Sequence, residues 1–216
     1  MGDLTPIAFD IETSGLGPDA IVTVVGFAHE PGVSVVLNTD GRTAETDRLT
    51  EHLIDRITTP ITLEVCTDER ALLARMADIA DRIDSDQHYL CAYNGETWNG
   101  GFDLPFLRSR CIAHDRSWPF AGFPYVDILA VIDRFETDDR TDLDSVYEAL
   151  VGAPTCDPFD ASAEAVTAFE HGDWLPLLFH NIADVRRTRE LSLLAEQYVP
   201  VSDFGMKNLD PPSPQG

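Results

Sequence analysis

Apolar positions fall into two regimes along the chain. Residues 5–12 (TPIAFDIE), 20–29 and 33–38 are apolar, β-branched runs of strand length, separated by TSGLGPD and EPGV, which carry the glycine and proline of tight turns. Three strands in such close succession predict an antiparallel meander. The period then lengthens. A helix is expected over 43–57, a short strand over 61–66 (ITLEVC), and a helix over 68–83 with apolar Leu72, Met76, Ile79 and Ile83 at helical spacing. A buried strand over 88–94 (HYLCAYN) precedes helices expected near 103–113, 126–135, 142–151, 161–171 and 175–197. The pattern predicts an α/β fold, a mixed sheet with helices packed on it, forming one domain over residues 1–200. Residues 201–216, ending in DPPSPQG, are expected to form a flexible tail.

Composition adds a habitat rather than an activity. Of 216 residues, 44% are hydrophobic and 25% charged, the balance of a globular chain. The longest apolar run, AIVTVVGFA at 20–28, is far too short to span a bilayer, and no leader is evident, so a cytoplasmic location is expected. The net charge is −23, with 38 acidic residues against 15 basic ones, and Lys207 is the sole lysine. Two explanations compete: an acidic partner-binding protein or nucleic-acid mimic, and adaptation to a salt-rich cytoplasm, where screening makes such a surface tolerable. The acids are spread along the chain and the apolar segments are intact, which favours a halophile. Cys66, Cys91, Cys111 and Cys156 show neither C-x-x-C pairing nor clustered histidines, so reduced, mostly buried thiols are expected rather than zinc or disulfides.

One feature of the first strand stands apart. Asp10 and Glu12 are two residues apart and therefore share a strand face. Like charges on a half-buried face repel and resist desolvation, and a bound cation relieves both costs. Gly15, Gly17 and Ala20 have the spacing of a dinucleotide-binding turn, but that turn needs a helix directly after it, and a strand-like segment follows. DDRTDLDS at 138–145 lacks the glycine and terminal glutamate of a calcium loop. A hard-cation site needs further carboxylates from elsewhere. Asp103, at the start of a helix after a glycine-rich loop, is one candidate, with a helix N-cap as its alternative. His180 and Asp184 lie four apart on one face of an otherwise apolar helical stripe; the alternative there is an internal His–Asp hydrogen bond.

Together, FDIETSGL (9–16), NGGFDLPFL (99–107) and HNIADVRRT (180–188) resemble the three motifs of the DEDD superfamily of 3′→5′ exonucleases. The likeness is to predicted exonucleases related to the proofreading domain of family B DNA polymerases, and it extends to VDILAVI (126–132) and LDSVYEAL (143–150). The resemblance implies a ribonuclease H-like mixed sheet, a three-stranded antiparallel meander plus parallel strands, with helices on both faces. It implies that Asp10, Glu12, Asp103 and Asp184 hold two divalent ions, Mg²⁺ or Mn²⁺, and that His180 orients and deprotonates the attacking water. The implied substrate is the 3′ end of single-stranded DNA or RNA. Two departures stand out. His180 occupies the spacing that relatives give to tyrosine, and the NGETWNGGFD loop is long, so Asn94 and Asn99 compete for the second motif's asparagine. Trp98 is a candidate to stack on a terminal base, with packing as its alternative, and Arg108, Arg110, Arg186 and Arg187 to meet phosphates, with ordinary surface ion pairs as theirs. The alternative function is a catalytically idle ribonuclease H-like module that binds nucleic acid or a protein.

Overall fold

The computed structural model describes residues 4–96, 100–152, 156–161 and 163–210. Within them the sheet is built outward from β1 (Thr5–Thr13), which pairs antiparallel with β2 (Val22–His29), and β2 in turn with β3 (Gly32–Asn38). Three further strands are parallel to their neighbours: β4 (Ile61–Cys66) on β3, β5 (His88–Ala92) on the other edge of β1, and β6 (Pro124–Asp127) on β5. A two-residue strand, β7 (Lys207–Asn208), closes the order β4-β3-β2-β1-β5-β6-β7. The meander and the mixed sheet are those the sequence pattern predicts.

Helices cover both faces. On one lie α1 (Thr46–Arg56), α4 (Ile128–Ile132), α5 (Leu143–Leu150), α6 (Ala163–His171) and the long α7 (Trp174–Tyr198). They bury Leu53, Val131, Val146, Phe169 and Ile182 against Ala8, Val24 and Val35 of the sheet. On the other face α2 (Glu69–Ala80) and α3 (Asp103–Ala113) bury Leu72, Met76, Leu104 and Leu107 against Ile7, Phe9 and Ile11. Asp68 caps α2, its Oδ1 accepting from the Ala71 N–H. A sheet covered on both sides has strands that read as apolar runs rather than alternating ones, and that is the character of residues 22–28. Strand periodicity now assigns the carboxylates. Ile7, Phe9 and Ile11 face α2 and α3, so Asp10 and Glu12 share the face of Ala8, beneath α7.

Three expectations change. The helix expected from 126 begins only at Ile128, because residues 124–127 pair in parallel with β5 and Asp127 then caps α4, accepting from the Leu129 N–H. The strand expected over 88–94 ends at Ala92, where the chain turns and Asn94 takes φ 54°. The expected flexible tail begins too early: Phe204 and Leu209 are buried, Lys207–Asn208 pairs with β6, and Arg134 meets Asp203 at 3.4 Å, so residues 201–210 belong to the fold. Residues 211–216 lie outside the described part. No helix among the described residues is long and apolar enough to cross a membrane.

Candidate metal-binding active site

The carboxyl end of β1 and the loop after the neighbouring parallel strand β5 open onto one edge of the sheet, the place where α/β sheets gather their ligands. Asp10 and Glu12 arrive from β1, whose register with β2 shifts just after Glu12. Asp103 arrives as the first residue of α3, and His180 and Asp184 come down from α7. All five line one cleft of about 420 Å³. Leu16, Phe102 and Val166 add apolar wall, and Leu16 is 81% exposed at the lip. The N-cap alternative for Asp103 does not hold: Phe102 occupies the cap position, and no side-chain cap bond forms there. The dinucleotide reading fails as well, since the Gly15–Gly17 turn leads into β2.

The acids of the cleft are only partly compensated within the chain: Arg187 and His180 offset Asp184, and Asp157 and Asp184 in turn outweigh burial and raise the His180 imidazole above its ordinary pKa. Burial, then the charges of Glu12, Asp103 and Asp184, raise the Asp10 carboxyl well above the usual carboxylate range. Burial, then Asp184 and Asp103, do the same to Glu12. Asp103 is pushed up to about 8 by burial, Asp127 and Asp184. Burial also raises Asp184, against the opposing pull of His180 and Arg187. Carboxylates driven toward protonation by one another are the donor set that a divalent cation relieves. The residues present therefore fit divalent metal. Glu12, His180 and Asp184 offer ligand atoms within 4.8 Å of one another.

Supporting side chains fix these groups. Asn181, fully buried beside His180, donates from Nδ2 to Asp10 Oδ2 at 2.8 Å. Its amide fits because Gly26, paired with Asp10 across the β1–β2 ladder, has no side chain: a Cβ there would stand 2.1 Å from Asn181 Oδ1. His180 Nδ1 lies 2.9 and 3.1 Å from the two carboxylate oxygens of Asp157. Arg187 Nη1 joins Asp157 Oδ2 (2.6 Å) to Asp184 Oδ1 (2.7 Å), and its Nη2 reaches Asp144 at 2.6 Å. Asp127 accepts from the N–H groups of Asn94 and Glu96, while the Gly95 carbonyl accepts from the Leu104 N–H. The loop that delivers Asp103 is thus tied to the end of β6.

Sequence reasoning missed Asp157, Asn181, Asp127 and Gly26. Asp157 sits in the irregular CDPFD segment, where periodicity carries no signal; for Asn181 its adjacency to His180 was the available hint. The arginine candidates fare differently from expectation. Arg187 is buried and committed to three aspartates, and Arg110 is committed to Glu69 through Nη2 at 2.6 Å. Arg108 lies over the Trp118 ring at 4.9 Å, lining a separate apolar pocket with Ile112 and Leu209 rather than the acidic cleft. Asn94 gives its backbone N–H to Asp127, and its side chain does not line the cleft. Trp98 and Asn99 lie outside the described residues. The four cysteines are free, and DDRTDLDS serves as a helix start, with Asp142 Oδ1 accepting from the Ser145 N–H.

A seven-stranded mixed sheet with this edge cleft defines a ribonuclease H-like α/β protein. Residues 7–194 match the RNase_H_2 family of the RNase_H superfamily, and the chain belongs to that family. No curated protein matches the chain. Membership implies nuclease-type chemistry on nucleic acid with divalent metal.

Proposed function

We propose that this protein is a metal-dependent 3′→5′ exonuclease that hydrolyses single-stranded DNA or RNA. One observation carries the reading: four carboxylates from three distant segments, Asp10 and Glu12, Asp103, and Asp184, converge with His180 in one cleft. The four carboxylates are the ligands we assign to two divalent ions, Mg²⁺ or Mn²⁺. When bound, such ions neutralise the phosphodiester oxygens and lower the pKa of a water nucleophile. The chain supplies the rest. Asn181 holds Asp10, Arg187 holds Asp184, and Asp157 holds the imidazole of His180, so the donors are oriented before substrate arrives.

The cleft volume of about 420 Å³ suits one terminal nucleotide. Leu16 and Phe102, apolar at its edge, offer a base a surface to lie against. A charge of −23 opposes phosphate at low salt, because binding normally gains from neutralising phosphates with Lys and Arg. The arginines expected to help are largely tied to acids or to Trp118, so metal-bridged phosphate and base contact carry the binding. That economy of cations suits a halophile's salt-rich cytoplasm, where electrostatic attraction is screened in any case.

Oligonucleotides labelled at the 3′ or the 5′ end, incubated in molar KCl with Mg²⁺ or Mn²⁺, test the reading. The expected result is metal-dependent loss of 3′ nucleotides, reduced about a hundredfold or more in Asp10→Ala. Binding of single strands without any metal-dependent cleavage would instead identify an idle nucleic-acid-binding module.

A further inference from the structure

We propose that His180 Nε2 is a direct metal ligand, completing with Glu12 and Asp184 a two-carboxylate, one-histidine site that favours a first-row transition ion such as Mn²⁺ over Mg²⁺. The inference rests on reading the cleft as a cation site and deepens it by assigning one ion's donors. It also replaces the water-activating role that the family resemblance implies for this histidine.

Three observations converge. His180 is only 5% exposed, and its ring is fixed on both sides, by Asp157 at Nδ1 and by the Phe159 ring, whose centroid lies 5.2 Å away. With Nδ1 engaged by a carboxylate, Nε2 is the nitrogen left to face the cleft, and an ion bound there would take the place of any proton it carries. Metal-bound histidines almost always donate their other N–H in this way, to an outer carboxylate or carbonyl. Nε2 then points at two of the site's own acids, 3.9 Å from Glu12 Oε1 and 3.7 Å from Asp184 Oδ2. Those separations exceed hydrogen-bonding distance. They are near what neighbouring donors show around an ion with bonds of about 2.0–2.2 Å, after a small closing movement.

The rest of the cluster agrees. Arg187 bridges the outer carboxylate Asp157 to the ligand Asp184 through one nitrogen, so the two carboxylates that flank the histidine are braced together. Selectivity follows from the donor set: Mg²⁺ strongly prefers oxygen, whereas imidazole suits later divalent ions.

The 216-residue chain, in molar KCl with half an equivalent of Mn²⁺, gives a direct reading by pulsed electron paramagnetic resonance. Unlabelled protein should show a ¹⁴N coupling on the bound Mn²⁺, replaced by a ¹⁵N coupling when histidine is ¹⁵N-labelled and absent in His180→Gln. Titration calorimetry should show His180→Gln and Asp157→Ala weakening Mn²⁺ by about tenfold to a hundredfold, and Mg²⁺ by less. Mn²⁺ bound tightly by wild type and lost in Asp10→Ala, yet without nitrogen coupling, would overturn the ligand assignment and leave the metal-site reading intact. Coupling that survives in His180→Gln would overturn it too. No Mn²⁺ binding at all would bring down both. The wild-type spectrum needs no variant to fold, so absence of nitrogen coupling overturns the assignment even if a substitution unfolds the chain.

Discussion

Two glutamates of this protein are buried to the same degree and live in opposite surroundings. Glu69, 5% exposed at the start of α2, accepts from the Val22 N–H at 2.8 Å, from Arg110 Nε at 2.8 Å and Nη2 at 2.6 Å, and meets His114 Nε2 at 2.7 Å. Burial alone would raise its pKa, but Arg110, the Val22 N–H and His114 outweigh burial and lower it. Glu12, 8% exposed on β1, has Asn181 and the more distant His180 Nε2 (3.9 Å) as its polar partners, and burial with Asp184 and Asp103 outweighs them and raises its pKa well above the usual range. The first is a charge compensated within the chain. The second is a charge compensated by something the chain must recruit. Burial of an acid therefore says little by itself; the sign of what surrounds it separates a structural ion pair from a ligand site.

The largest expected effect falls on the compensated side. Glu69→Ala leaves Arg110 and the Val22 N–H without their acceptor, and unfolding in denaturant should show a loss of about 3 kcal/mol or more. Loss below about 1 kcal/mol would mean that solvent replaces the partners and that Glu69 is no better a structural anchor than a surface acid. Divalent cation should act only on the other side. At a hundred times its Kd, Mn²⁺ should stabilise wild type by about 2.7 kcal/mol, and Glu69→Ala should keep that gain.

The pH dependence separates the two sites by sign. Asp103 has an ordinary pKa of 3.8 and is raised to about 8 in the fold. Its contribution to stability is complete below 3.8 and is lost as pH rises through about 8. Glu69 is lowered, so its contribution is present above its ordinary 4.5 and is lost as pH falls through the lower folded value. Without metal, denaturant midpoints should fall between pH 5 and pH 9 in wild type, and less steeply in Asp103→Asn. Mn²⁺ should flatten the slope, since a bound cation favours the ionised carboxylates. A slope unchanged by Asp103→Asn would place the titrating groups elsewhere.

A smaller effect tests how the acids are held. Gly26→Ala sets a Cβ 2.1 Å from Asn181 Oδ1 and 3.1 Å from Val185 Cγ1. Asn181 must give way, with a stability loss of about 1–3 kcal/mol. Because Asn181 holds Asp10, metal affinity should fall in the same variant. Affinity unchanged at reduced stability would show that Asp10 needs no positioning.

How much of this was legible in the sequence depended on whether the signal was local. β1 declared Asp10 and Glu12 because strand periodicity alone puts both on one face. His180 and Asp184 were legible because a spacing of four on an apolar helical stripe does the same. Glu12 and Glu69 could be told apart only by their partners: Arg110 and His114 lie 41 and 45 residues from Glu69, a distance no local pattern spans. Asp157, 23 residues before His180 in an irregular segment, was invisible for the same reason. Arg187 read as an exposed phosphate contact because a helix charge usually faces water, and here three aspartates hold it inside. The last two residues of β6, Val126 and Asp127, were read as helix because they run into the apolar ILAVI, and only pairing with β5 distinguishes them from α4. The end of the fold was drawn at 200 because a two-residue strand has no period.

The smallest effect has the most unusual sign. Glu12→Gln removes one of the mutually repelling acids while keeping the shape and much of the hydrogen-bonding capacity of the side chain. In the metal-free protein at neutral pH it should raise stability by about 0.5–2 kcal/mol, where Glu69→Gln lowers it. The same Glu12→Gln protein should lose the Mn²⁺-dependent gain, because an amide is a poorer and uncharged donor. Stabilisation without metal and loss of stabilisation by metal, in one substitution, is the signature of a residue kept for a cation rather than for the fold. Thermal unfolding with and without Mn²⁺ reads both halves, and a drop in the metal-free midpoint would mean that Glu12, like Glu69, already has its compensation within the chain.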